Sequence, residues 1–341
     1  MLKKIILACA LGGAATAALS ALPLDKLAGD FDTLMTSLTH DVAPSLRLGA
    51  LAGDLQADAT IDHFEIAPLG LGLNVTDGLG TILRPGTVWN FPIGMNSFIP
   101  SSVPTWFEDL MAYPSYKFGF GMALGGGWDA TLSGSYLPDA LSALLLKPAS
   151  GSKSVPDLDF SNIGLSVRRT LIKDSNATPG LSVGVGYHFT SFHMGLKVDQ
   201  WIPSEEISGE TVTTTGTVGF DTLAQIATFD LYLSKRLSLF TPYARLTGAY
   251  QNTTVTGNLD LQAAETGSSP GTYNIHYNPS VNVSDFAFLT TTGFDINLLL
   301  FRYNLNVMTD LSRVKLNIHS FTLDGIDANA FTINTGIHWS F

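Results

Sequence analysis

The last twelve residues, Ala330 to Phe341, read AFTINTGIHWSF. Counting back in twos gives Phe341, Trp339, Ile337, Thr335, Ile333 and Phe331, and between them lie Ser340, His338, Gly336, Asn334, Thr332 and Ala330. A period of two is that of a β-strand with one apolar and one polar face. Large apolar side chains on one face can rest on a soluble core or meet lipid. The choice depends on whether the chain repeats the pattern, and on how the repeats are joined.

The pattern recurs in segments of about ten residues, the length at which a tilted strand crosses a bilayer. They are Leu69 to Val75, Lys117 to Leu124, Trp128 to Tyr136, Asn162 to Leu171, Leu181 to Phe189, Thr228 to Leu233, Thr241 to Tyr250, Asp285 to Leu298, Tyr303 to Thr309 and the C-terminal stretch. One face of each is large and apolar, as in Phe118, Phe120, Met122 and Leu124. The other is Gly, Ser, Asn, Thr or Asp. The breaks alternate: long (76–114, 137–158, 199–222, itself compatible with some strand, 256–283, 312–328) and short (125–127, 173–180, 235–238, 299–302). A soluble sandwich has no reason to keep such a rule, whereas an outer-membrane barrel has short periplasmic turns and long outer loops. Lipid admits only closed sheets, because an open edge strands backbone groups in hydrocarbon. The expected fold is all-β: a transmembrane, antiparallel, up-and-down β-barrel of about ten strands, with roughly 8 to 14 compatible, preceded by a short N-terminal amphipathic helix.

Composition agrees. Only 14% of the residues are charged, against about 25% in an ordinary soluble protein. The formal charge of −11 excludes a nucleic-acid partner, since phosphate binding needs clustered Lys and Arg. Residues 1–21 read as a secretory signal peptide: Lys3 and Lys4, then an apolar run, then small residues. The one cysteine, Cys9, lies within it, so the exported chain is expected to carry no thiol. Residues 22–60 form an N-terminal helical segment and 61–341 the barrel. In the former, Leu24, Leu27, Phe31, Leu34, Met35 and Leu38 fall at helical spacing opposite Asp25, Asp30 and Asp32, predicting an amphipathic helix over 24–40. It could cap the periplasmic mouth, plug the lumen or bind a partner.

Charged and polar residues on the inner face are expected to line the lumen: Lys117, Asp129, Arg168, Asp230, Tyr243, Arg245, Asp295, Asn304 and Asn306. They would either pair and fill a narrow bore or mark a solute path. In the hairpin around Lys235 to Ser238, Asp230 and Arg245 are expected to face each other and form a salt bridge. Loop 76–114 is unusually apolar, with Trp89, Phe91, Phe98, Trp106 and Phe107, which predicts either a lid of packed loops or a groove for a hydrophobic ligand. Loop 256–283, by contrast, reads as an ordinary polar loop.

Two enzyme motifs fail on context. Gly180-Leu-Ser182-Val-Gly184 matches a nucleophile elbow, but the alternation runs on to Phe189 with no turn into a helix. Ser150 to Lys153 matches S-x-x-K without the companion motifs. The seven histidines show no ligand spacing, so neither metal nor cofactor is expected. No catalytic residue is assigned.

The C-terminal stretch resembles the last strand of bacterial outer-membrane β-barrels. This likeness implies that Phe341, Trp339 and Ile337 form an assembly signal read by the barrel-assembly machinery. Thr228 to Leu246, with Pro179 to Tyr187 before it, is similar to hairpins of poorly characterised outer-membrane barrel families. The N-terminal segment before a barrel also resembles the long-chain fatty-acid transporters, although their Asn-Pro-Ala element is absent and ten strands are fewer than theirs. Together these imply an integral protein of the bacterial outer membrane, with the lipid bilayer, the assembly machinery and a small-molecule solute as partners. Its expected role is a channel or transporter for small molecules, hydrophobic ones included. The alternative is a structural or surface-interaction barrel with a plugged lumen and no transport.

Overall fold

The computed structural model describes residues 35–36, 39, 42–51, 59, 64–76, 111–137, 155–199, 211–266, 271–298, 301–317, 322–326 and 331–340. The strands are β1 (Phe64–Thr76), β2 (Met111–Gly125), β3 (Trp128–Tyr136), β4 (Val155–Ile172), β5 (Gly180–Asp199), β6 (Thr211–Ser234), β7 (Phe240–Thr266), β8 (Gly271–Tyr277), β9 (Ser280–Asn297), β10 (Arg302–Asp310), β11 (Val314–Asn317), β12 (Thr322–Ile326) and β13 (Phe331–Ser340). Ten of them, β1 to β7, β9, β10 and β13, pair in antiparallel order. The ring closes where β1 meets β13 and where β6 meets β7. The expected ten-stranded barrel is thus the observed one. β11 and β12 form a separate hairpin between β10 and β13.

Alternation decides the faces. On β2, Phe118, Phe120, Met122 and Leu124 are exposed, while Ser115 and Lys117 between the strands' outer positions are buried. The same holds for Ile163 and Leu165 against Asn162 and Ser166, and for Val185 and Tyr187 against Ser182 and His188. Large apolar residues on the outside and polar ones inside invert the soluble arrangement, and fit a barrel whose solvent is lipid. Near the end with short turns, Arg169 lies over the outward-facing Trp128 ring, its guanidinium carbon 5.4 Å from the centroid. A cation on an aromatic face suits the boundary between hydrocarbon and water. The tightest turn, between β2 and β3, holds Gly125, Gly126 and Gly127 at φ of 87°, 62° and 79°, where only glycine sits without strain.

The wall is not level. β3, β10 and β13 have 9, 9 and 10 residues, but β6 has 24 and β7 has 27, well beyond the roughly 9 to 11 that span a bilayer. Along β7 the outward residues change from Phe240, Leu246 and Tyr250 to Asn252, Asn258 and Asp260, all exposed. The inward Val255 and Leu259 remain apolar and buried. The outer face therefore turns polar at about Asn252, and the strand continues as a sheet beyond the lipid belt.

One expectation changes: residues 256–283 are not a polar loop, since they complete β7 and contain β8, which pairs with it. The break 199–222 is part strand, as its reading allowed, with β6 beginning at Thr211. Helical residues also lie beyond the stretch 24–40, within the expected segment 22–60. Residues 35, 36, 39 and 42–51 are helical, whereas 24–34 lie outside the described residues. Residues 42–51 are buried without exception, so this part has no polar face and left no amphipathic signal.

Candidate functional site: the plugged lumen

All nine residues expected to line the lumen point inward and are buried. They form a polar belt in the half of the barrel with short turns, as two linked networks. In the first, Arg245 Nε donates to Asp230 Oδ1 at 2.9 Å, and Thr247 and Thr228 hydroxyls also donate to that carboxylate, at 2.6 and 3.1 Å. The ladder places Asp230 opposite Thr247 and Tyr232 opposite Arg245. The pair is therefore diagonal rather than directly facing, and the longer Arg reaches across. On the neighbouring strands Arg168 Nε donates to Asp129 at 2.9 Å. The two guanidiniums share the Tyr232 ring, at 4.7 and 4.9 Å from its centroid. Gly184 makes this possible. It lies between Arg168 and Asp230 on β5, and a Cβ there would stand 2.8 Å from Arg168 Cγ.

In the second network every amide points the same way. Lys117 Nζ donates to Asn334 Oδ1 (2.6 Å), Asn334 Nδ2 to Asn306 Oδ1 (2.9 Å), Asn306 Nδ2 to Asn304 Oδ1 (2.7 Å), and Asn304 Nδ2 to Asp295 Oδ1 (2.6 Å) and the Tyr243 hydroxyl (3.1 Å). An amide oxygen can only accept, so the lysine amine against Asn334 Oδ1 goes with one orientation of that amide and hence of each amide after it. The run ends on a carboxylate, which His338 Nε2 also meets at 2.9 Å. A buried lysine amine and a buried carboxylate are thus joined through three amides, and such chains polarise one another. The relay passes over Gly72 of β1, where a Cβ would overlap Lys117 Cε, and it spans the seam between β1 and β13. Glu65 and Arg302 pair at 3.5 Å near the same seam.

The other half of the lumen is filled by main chain. Leu48, Ala50 and Leu51 of the helix meet Ile226, Ala249, Ala287, Leu289 and Met308 of the wall in one apolar cluster. Arg47, 1% exposed, donates to Asp310 Oδ2 at 2.6 Å, Asp285 Oδ2 at 2.9 Å and Gln251 Oε1 at 3.3 Å. Gln251 Nε2 donates to the Ala43 carbonyl (2.9 Å) and Asn162 Nδ2 to that of Ala50 (3.3 Å). Further on, the Ala59 amide donates to Ser234 Oγ at 2.9 Å, at the end of β6 beside the short turn. Residues 42–51 therefore lie inside the barrel, the placement of a plug, with Ala59 against its wall.

Ser182 lies on a straight part of β5 and is buried, so the elbow-like motif makes no elbow. Among the described residues no cluster of His, Cys, Asp and Glu could hold a metal. Trp339 and Ile337 are half-buried on the outward face of β13. Phe341, the five aromatics of loop 76–114 (Trp89, Phe91, Phe98, Trp106 and Phe107) and the signal segment 1–21 lie outside the described residues. Sequence reading missed Arg47, Tyr232, Gln251, Asp285 and Asp310, whose roles depend on partners far away in the chain.

Fold and lumen together define a β-barrel of outer-membrane type with an internal plug. No family model matches the chain, and no curated protein matches its sequence. Chains of known structure that match include the outer membrane protease OmpT from Escherichia coli (9% identity, TM-score 0.39, covering 82% of this chain and 95% of that one). The transport unit of the autotransporter AIDA-I from Escherichia coli matches at 10% identity and TM-score 0.32, with 86% and 98% covered. The anion-selective porin from Comamonas acidovorans matches at 11% identity and TM-score 0.16, with 82% and 98% covered. Overlaps this loose say nothing of activity, and the class rests on the closed ladder and its inverted faces.

Proposed function

We propose that the protein resides in the bacterial outer membrane as a barrel shut by its own N-terminal segment, and that its resting form passes no solute. The observation that carries this reading is the helix 42–51, buried on every side and hydrogen-bonded to β4, β7, β9 and β10. Below it the belt pairs its own charges across a bore that ten strands make narrow. In this role the barrel is a rigid, membrane-held base, and the polar sheet that β6, β7 and β8 raise beyond the lipid is its surface for interaction. No catalytic role is part of the proposal.

A second reading, passage of small and apolar molecules after the plug moves, is favoured by the way the plug is held. Beside the apolar cluster around Leu48 and Leu51, the plug's polar ties centre on Arg47, and such bonds can be exchanged for those of a solute. The test is ion conductance of the purified protein in planar bilayers, with and without residues 42–51, heat-modifiability on gels confirming that the barrel is folded. A silent wild type beside a conducting deletion supports the plug. Steady conductance of the wild type overturns it, and two silent proteins would leave the belt alone as the closure.

A further inference from the structure

The wall residues that hold Arg47 form a cradle of their own. Asp310 is set by the wall: Ser312 donates to its Oδ1 through the backbone amide at 3.0 Å and the hydroxyl at 2.5 Å, leaving Oδ2 for the guanidinium. Gln251 is steadied by Thr253, whose hydroxyl accepts from Nε2 at 2.8 Å. Asp285 contributes a second carboxylate from the adjacent strand. None of these supports belongs to the plug except the Ala43 carbonyl, so the acceptors would stay in place with the plug displaced. Two carboxylates and an amide oxygen, on three strands, match the spread donors of a guanidinium better than the point charge of an ammonium.

The cradle is also only partly used, and it is reachable. Arg47 brings one formal positive charge to two carboxylates, and its buried Nε has no partner among the described residues. Asp285 is inward in register, yet its side chain is 46% exposed. The reason is the uneven wall. The last pair between β9 and β10 is Leu289 with Asp310, and among the described residues no strand pairs with β9 above it on that side. Asp285 thus stands at a notch on the long-loop side.

We propose that this cradle is a binding site for guanidinium-bearing solutes, occupied in the resting state by Arg47 of the plug, and that such a solute releases the plug by taking its place. This rests on the plugged-barrel reading. It adds to it a ligand class and a trigger. A side chain tethered in the lumen competes at high effective concentration, so the wild type should bind an external guanidinium weakly, and a chain lacking Arg47 more tightly.

The experiment measures binding of a fluorescently labelled arginine amide to the full barrel in detergent by polarisation, with a labelled lysine amide at the same ionic strength as control. Arg47→Ala is expected to bind the arginine probe roughly tenfold or more tightly than the wild type, to discriminate against lysine, and to lose the binding when Asp310→Asn is added. If Arg47→Ala fails to fold, judged by heat-modifiability, Arg47→Met serves in its place. Equal binding by wild type and variant, or binding that survives Asp310→Asn, overturns the proposal. The readout is binding rather than conductance, so its failure is separate from failure of the plug: a conducting deletion beside a non-binding Arg47→Ala sinks the ligand site and leaves the plug standing.

Discussion

The two halves of the lumen solve the same problem in different ways. Toward the short turns, the wall fills the bore with its own side chains, and glycines at 72 and 184 leave room for Lys117 and Arg168 to cross a neighbouring strand. Toward the long loops, the wall side chains shorten to Ala249 and Ala287, and a helix occupies the space. A belt built from wall residues cannot leave without unfolding the barrel. A plug tied by Arg47 and a few amides can. The difference separates what holds the protein together from what closes it.

The largest effect should come from breaking the belt at its most connected anion. Asp230 accepts from Arg245, Thr247 and Thr228, so Asp230→Ala leaves a buried guanidinium without its carboxylate. Removing one partner of such a pair costs about 3–5 kcal/mol. The expected outcome is a lower temperature for the loss of heat-modified mobility on gels, and a lower urea midpoint. Asp230→Asn, which keeps the shape and one acceptor oxygen, should fall between the mutant and the wild type. A barrel as stable as the wild type with Asp230→Ala would mean that the belt is filler rather than framework.

A smaller effect sharpens the role of the glycines. Gly72→Ala should destabilise by about 1–3 kcal/mol, the range for overpacking a filled site. Its cost should largely vanish beside Lys117→Ala, where no long side chain crosses the strand. A double-mutant cycle of Gly72→Ala with Lys117→Ala, measured by urea unfolding in detergent, is therefore expected to be non-additive. Additive costs would show that Gly72 is needed for backbone reasons alone.

How much of this was legible beforehand follows from where each signal resides. The ten crossings were readable because each strand carries its own period of two, and lipid on one side makes that period loud, as in Phe118 to Leu124. The part of β7 beyond Val255 was misread as loop because its outward residues, such as Asn258 and Asp260, are polar beyond the lipid, leaving little besides Leu259 to mark the inner face. Within the expected segment 22–60, the helix at Val42 to Leu51 gave no signal of its own because it is buried all round and shows no stripe. Lys117, Asp129 and Arg168 could be named from inward register. The order in which Asn334, Asn306 and Asn304 hand on their hydrogen bonds could not, because it depends on pairings between strands as far apart as Lys117 and Asn334. Arg47 is the extreme case: its acceptors lie 204, 238 and 263 residues away.

The smallest expected effect tests whether belt and plug are independent. Asn162 reaches from β4 to the Ala50 carbonyl of the helix at 3.3 Å. It also accepts from the Thr190 hydroxyl at 3.0 Å, so Asn162→Ala removes one tie to the plug and one tie between β4 and β5. Each is worth about 1 kcal/mol. β4 keeps its backbone ladders to β3 and β5 to absorb the loss, whereas at this end of the described helix Asn162 is its polar tie to β4. Hydrogen exchange should therefore quicken roughly fivefold in the 42–51 amides, the factor that about 1 kcal/mol implies, while protection in β4 and β5 and the urea midpoint stay near wild type. If β4 and β5 lose protection to the same degree as the helix, plug and wall open as one unit, and the division between framework and closure fails.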